Sequence, residues 1–247
     1  GVNLIEIPNE KFSHSYARNL GAEMSNGRIV VFMTQDAMPS DEYWLKSLIL
    51  PIQEGEASAV SCGEQCPEGT DLYYKIASFG HAKYVGFYDK DLLGTIEMCI
   101  DSESLRKNAS LNDVACAVKR NVFMRFRHRF DYAEDLDLGV RLLKAHHKIK
   151  LLSKVKVIHG HDRAADYYMK RAFVENNAFL NIFPNFASAP ENNELVVSRI
   201  VSSYCIMSEI LSQILAINKK YTMVLEFVAD ASAVFEKVLK SCWVYTG

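Results

Sequence analysis

The sequence lacks any long uninterrupted apolar run. Its longest apolar stretch, residues 195–217, is broken by Arg199, Glu209, Gln213, five serines and a tyrosine, which is too polar for a membrane-spanning helix. It also lacks an excess of one charge: 28 Lys and Arg against 30 Asp and Glu leave a formal net charge of −2. With no basic tract interleaved with aromatics, nucleic acid is excluded as the expected partner. Cysteine pairing is missing too. Six cysteines (62, 66, 99, 116, 205, 242) are scattered without a C-x-x-C pair, the pattern of reduced thiols in a cytosolic compartment. Cys62 and Cys66 invite a zinc reading, but no second pair follows, and small buried residues are the simpler account. The opening residues show no basic segment followed by an apolar one, so no signal peptide is expected. Apolar material is not scarce. Hydrophobic residues make up 49% and charged residues 23% of 247 positions, enough for one large domain or a domain with an appendage.

Residues 4–7 form a β-type run ended by Pro8, and residues 15–24 read as a helix with a left-handed stop at Asn26-Gly27. Residues 29–33 are continuously apolar, as suits a central strand covered on both faces. A helix carrying Trp44, Leu45 and Leu48 follows, then a strand over 57–61. Residues 70–110 are aromatic and irregular, with little helical signal. A strand is expected over 114–118, a short helix over 121–126, and a helix from Asp135 to about Ala145. Two short strands, 148–152 and 155–159, precede a mostly helical remainder from Ala164, with a break around 184–190. Alternating strands and helices followed by helices alone predict an α/β core over 1–165 and a helical extension over 166–247.

Four groups of residues can carry chemistry. Asp36 lies just past the end of the 29–33 strand, where open α/β sheets place ligands; a carboxylate there can hold Mg²⁺ or Mn²⁺, or simply form a turn. Glu134 and Asp135 open a helix, where they can cap it or serve as a general base. His159 and His161 end a strand two residues apart, on one face, and a His there can complete a metal shell or merely fill the core. Arg18-Asn19 and Lys119-Arg120 are basic points able to meet a diphosphate or to stay solvated.

Together these points carry a resemblance. The segment F-S-H-S-Y-A-R-N-L-G-A-E-M-S-N-G-R-I-V-V-F-M-T-Q-D-A-M-P (12–39) resembles the middle of family 2 glycosyltransferases, nearest the rhamnosyltransferase-like branch with T-Q-D-A in place of D-x-D. Gly63-x-Gln65-x-Pro67, N-D-V-A-C-A-V-K-R (112–120), A-E-D-L-D-L-G-V-R-L-L (133–143) and V-I-H-G-H-D (157–162) follow in the same order. The resemblance implies a GT-A fold, a Rossmann-like mixed sheet, acting on a nucleotide-diphosphate sugar with Mg²⁺ or Mn²⁺. Carried over, Asp36 is the metal-binding aspartate and His159 closes the metal site. Glu134-Asp135 is the catalytic pair, with Asp135 as base. Arg18, Asn19, Gln35, Asp36, Asn112, Lys119 and Arg120 line the donor site. The family's opening strand–helix–strand, which holds the nucleobase and ribose, has no match here, so an N-terminally incomplete fold is expected.

The expected reaction is an inverting transfer of a sugar, rhamnose on the branch resemblance, to a glycan or lipid-linked acceptor in the cytoplasm. The alternative is a non-catalytic module of the same fold; a two-metal phosphohydrolase needs clustered carboxylates that the sequence does not show. The stretch 195–217 carries a broad apolar stripe at helical spacing with Arg199 as its one basic residue. It is expected to pack on the core or on a second copy as a homodimer; the competing reading is peripheral attachment at the inner face of the membrane.

Overall fold

A computed structural model describes residues 3–184, together with 201, 205, 206, 208, 209, 212, 233, 234 and 237. The chain divides into two compact units: Gly1–Gln65 with Val85–His159, and Cys66–Tyr84 with Gly160–Gly247. Every candidate residue named above except His161 lies in the first unit.

That unit is built on one mixed sheet. The strands are β1 (Ile29–Met33), β2 (Met38–Pro39), β3 (Ala59–Gln65), β4 (Leu92–Gly94), β5 (Ala115–Lys119) and β6 (Ile149–Ile158). Their order is β1-β5-β3-β6-β2, with β4 also pairing β6. The β3–β6 pair is parallel, and every other pair is antiparallel. Its helices are α1 (His14–Met24), α2 (Trp44–Gln53), α4 (Ser102–Asn108), α5 (Arg120–Phe126) and α6 (Glu134–Lys144); α3 (Leu72–Val85), save its last residue, and α7 (Ala165–Ile182) belong to the second unit.

Period-two alternation gives the sheet two apolar faces. Ala115 and Ala117 of β5 join Val60, Cys62, Leu152 and Val157 beneath α2, whose Trp44, Leu48 and Ile52 fill that side. Cys116 sits one residue out of phase, opposite Phe32 in the ladder. The Phe32 ring meets Phe123 of α5 at 4.8 Å. Leu138, Leu142 and Leu143 of α6 are fully buried, each worth about 1.5–3 kcal/mol over an exposed position. Gly139 is glycine for a steric reason. A Cβ there would lie 2.0 Å from the Ala109 carbonyl oxygen, so α6 packs directly on backbone.

Several sequence expectations are corrected. Residues 4–7 are not assigned to a strand, and Leu4 is 84% exposed, so the run has no apolar face to bury. Helix α1 ends without a left-handed residue: Ser25 is extended, and its own N–H and hydroxyl both turn back to the Ala22 carbonyl. Strand β1 is not central among the described strands. It pairs with β5 alone, and only Val30 and Phe32 are buried, the alternation of a strand half covered. The irregular 70–110 stretch contains α3 and α4; α4 is started by an Asp101/Ser104 capping box, a signal that the aromatic composition obscured. The two expected strands at 148–159 are one, β6, with a bulge opposite Cys62/Gly63.

Helix α7 begins where the helical remainder was expected. Most of 195–217 lies outside the described residues, and with it the dimer and membrane-surface expectations. Among the described residues no helix is long and apolar enough to cross a membrane. No disulfide joins the five described cysteines to one another. Cys62 is a buried thiol pushed up to about 12, by burial first, and no cysteine joins a candidate metal cluster among the described residues.

Candidate active site

Two clusters of side chains meet at the loop that leads into β5. The first begins at Asp36. Strand β1 ends at Met33, Thr34 N–H bonds to the Val114 carbonyl, and Ala37 N–H closes a turn onto Thr34. The Thr34 hydroxyl donates to Asp36 Oδ1 at 2.8 Å, which fixes a carboxylate still 40% exposed. Gln35 accepts from the same hydroxyl at 3.2 Å.

Facing Asp36 is His159, just past β6 and almost wholly buried. Its Nε2 stands 3.5 Å from Asp36 Oδ1, and its Nδ1 lies 2.9 Å from Glu64 Oε2. Glu64 is the next-to-last residue of β3, beside β6 in the parallel pair. Its other oxygen accepts from Asn112 Nδ2 at 2.9 Å. Asn112 is itself tied down, since its Oδ1 accepts from Val114 N–H and its N–H bonds to the Ser61 hydroxyl.

The Asp36–His159 pair fits a divalent cation. Two ligand atoms on one ion with bonds of about 2.1 Å stand roughly 3–3.5 Å apart, which is the spacing seen. The mixed oxygen and imidazole set favours Mn²⁺ over the harder Mg²⁺. His161 belongs to the second unit, where its ring meets Tyr74 edge-on at 5.1 Å.

The second cluster surrounds Asp113, the residue after Asn112. Arg18 Nε lies 3.3 Å and His128 Nε2 3.1 Å from one oxygen of its carboxylate, as ion-pair contacts. Burial pushes this carboxyl upward, but His128 and Arg18 outweigh it and hold it below its ordinary range. Arg18 also binds Glu134. Burial works against the Arg18 charge, yet Asp113, Glu134 and Asp135 raise it, so it stays a cation.

Asp135 accepts N–H groups from Asp113 at 3.1 Å and Leu136 at 2.8 Å. Among the described residues it receives no arginine or lysine partner comparable to that of Glu134. Its carboxyl is raised to about 7, by burial first and then by the charges of Asp113 and Glu134. The backbone aims it with strain: Ala133, immediately before the helix, is left-handed at φ 52°, an uncommon state for a residue with a side chain.

The structure therefore brings together Arg18, Asp36, Asn112, Glu134, Asp135 and His159. Asn19 takes a framework place, bracketing the His128 backbone with two bonds. Lys119 and Arg120 stand at the opposite end of β5 from Ala115, the residue paired with Met33 next to the Asp36 turn. Four residues of strand put them roughly 13 Å away along the ladder. Arg120 there binds the carbonyls of Ser25 and Ala22 at the end of α1. Three participants were not singled out from sequence: Glu64, hidden as the variable position of Gly63-x-Gln65; Asp113, inside the 112–120 string; and His128, which has no motif around it.

Glycosyl transferase family 2 matches residues 1–126, just over half of the chain. The O-antigen chain rhamnosyltransferase RfbN of Salmonella typhimurium is 24% identical over 177 residues, covering 70% of this chain and 54% of its own length. WbaN of Salmonella anatum, also an O-antigen chain rhamnosyltransferase, is 28% identical over 180 residues, covering 69% of this chain and 53% of its own. The chain thus spans about half the length of the curated relatives it matches. Among solved structures, the mannosyltransferase PcManGT from Pyrobaculum calidifontis, in complex with GDP-Man and Mn²⁺, superposes with a TM-score of 0.56 at 15% identity. That match covers 96% of this chain and 67% of the other, and it shows the shared fold.

Proposed function

This chain belongs to glycosyl transferase family 2 and has its GT-A fold, and from that premise we propose that it transfers a sugar from a nucleotide-diphosphate donor to an acceptor hydroxyl, with inversion at the anomeric carbon. The observation that carries the reading is Asp135, a carboxylate raised to about 7 and joined to the Asp36–His159 pair through the adjacent residues Asn112 and Asp113. A base with its pKa near the working pH is matched to proton transfer. Glu134 cannot serve equally, because Arg18 holds it as an ion pair.

In the proposed step Asp135 removes the proton from the acceptor hydroxyl as its oxygen bonds to the anomeric carbon. The bond from that carbon to the diphosphate oxygen breaks, and the electron pair leaves with the diphosphate. Asp36 and His159 are the residues that would hold Mn²⁺ or Mg²⁺, which when bound offsets the charge of the departing diphosphate. Arg18 and His128 keep Asp113 ionised, and the negative Asp113 and Glu134 keep Asp135 basic.

The sugar we propose is rhamnose and the acceptor a glycan, free or lipid-linked, by analogy with the two O-antigen relatives. We place the reaction in the cytoplasm. The test is a donor screen on the whole protein with Mn²⁺ or Mg²⁺: dTDP-, UDP- and GDP-sugars are offered with a lipid-linked glycan acceptor, and released nucleotide diphosphate is measured. Release from one donor that depends on acceptor and is lost in Asp36→Asn supports the proposal. No release from any donor, in a folded protein, leaves the non-catalytic module as the better account.

A further inference from the structure

We propose that Glu64 is a positioning residue for the metal arm: it anchors the Nδ1 side of His159 so that Nε2 faces Asp36 as a ligand atom. This rests on the metal reading above and extends it to a carboxylate that no motif marks.

The three groups stand in a line, two of them largely buried and the third near solvent. The Glu64 and His159 side chains are 13% and 5% exposed, whereas Asp36 is 40% exposed. A carboxylate that deep is costly unless its oxygens are used. Here Oε1 takes the Asn112 amide and Oε2 takes the His159 ring, and Asn112 is in turn held by Val114 and Ser61. The backbone repeats the constraint, since His159 N–H bonds to the carbonyl of Gln65, the neighbour of Glu64.

A neutral imidazole carries one N–H. With that N–H on Nδ1, given to the carboxylate at 2.9 Å, Nε2 keeps a lone pair turned toward Asp36 Oδ1 at 3.5 Å, which is the tautomer a bound cation requires. Two converging electron-rich atoms are the arrangement a cation stabilises, and a carboxylate behind a ligating imidazole both orients it and strengthens it as a donor.

The test is Mn²⁺ affinity of the whole protein, read from the EPR signal of free Mn²⁺, together with ¹⁴N modulation of bound Mn²⁺ as the signature of His159. Thermal unfolding and circular dichroism monitor the fold. Glu64→Leu should weaken Mn²⁺ binding toward the upper end of a 10–100-fold range, roughly what loss of such a partner costs, and should diminish the ¹⁴N signal. Glu64→Gln keeps the size, but its amide cannot accept from both Asn112 and His159 as the carboxylate does; about a tenfold loss is expected. It also provides the reading if Glu64→Leu does not fold.

Asp36→Asn and His159→Gln are run alongside. If both abolish binding while Glu64→Gln binds Mn²⁺ as tightly as wild type with an unchanged ¹⁴N signal, the positioning role is overturned and the metal site stands. If Asp36→Asn and His159→Gln bind normally, the metal reading itself fails, and the role of Glu64 with it.

Discussion

Replacing Asp135 with asparagine separates a base from a helix cap, because the two roles predict opposite changes in stability. The side chain keeps its size. It loses one acceptor, so one of the N–H groups of Leu136 and Asp113 is left poorly matched, at a cost of about 1 kcal/mol. Against that, raising a carboxyl from 3.8 to about 7 disfavours the ionised form by about 4 kcal/mol in a fully buried site. Asp135 is only part-buried, so solvent screening reduces this to about 1–3 kcal/mol.

The sign follows from linkage. The folded pKa lies above the unfolded one, so the wild-type contribution is present below pH 4 and is lost as pH rises toward 7. Asp135→Asn should therefore be about 1 kcal/mol less stable than wild type near pH 4, and equal or up to about 2 kcal/mol more stable at pH 8. Over the same comparison, turnover should fall at least ~10²-fold with donor affinity nearly unchanged. Urea denaturation at the two pH values and steady-state kinetics read both. A variant destabilised equally at both pH values, with normal turnover per folded molecule, would refute the base and leave the cap.

Other outcomes follow from the same structure. In wild type, kcat should drop as pH falls through about 7, because Asp135 must be ionised to accept a proton; a profile flat from pH 5 to 8 would contradict this. Arg18→Gln strips an ion-pair partner from two buried carboxylates, Glu134 and Asp113, the latter keeping His128, and should cost roughly 3 kcal/mol in chemical denaturation; a change confined to donor KM would instead make Arg18 a donor contact. Gly139→Ala drives a methyl into the Ala109 carbonyl and should cost at least about 2 kcal/mol, a fall in Tm of roughly 4–8 °C by calorimetry; an unchanged Tm would show that α6 can shift freely.

What could be seen in the sequence was what is local. The apolar run of β1, the helical run over 15–24 that became α1 and the Leu138/Leu142 spacing of α6 each report on a few consecutive residues, and each element formed close to where it was expected. Asp36, Asp135 and His159 were visible because each stands at the end of such an element. What stayed hidden depends on register across strands. Glu64 reaches His159 only because β3 and β6 run parallel and the bulge at Cys62/Gly63 resets their pairing. The bulge also made β6 look like two strands. Lys119 and Arg120 sit in one string with Asn112, but an extended strand carries them to the other end of the sheet, and nothing in their spacing reveals which end holds the site. The role of Asn112 is similarly non-local: its amide supports Glu64 across 48 positions.

The central claim is direct displacement by an acceptor hydroxyl activated by Asp135. It is tested most directly by the anomeric configuration of the product, determined by NMR after the whole protein has turned over its nucleotide-diphosphate sugar. The account predicts the configuration opposite to that of the donor, and no such product from Asp135→Asn. A product that keeps the donor's configuration would contradict it.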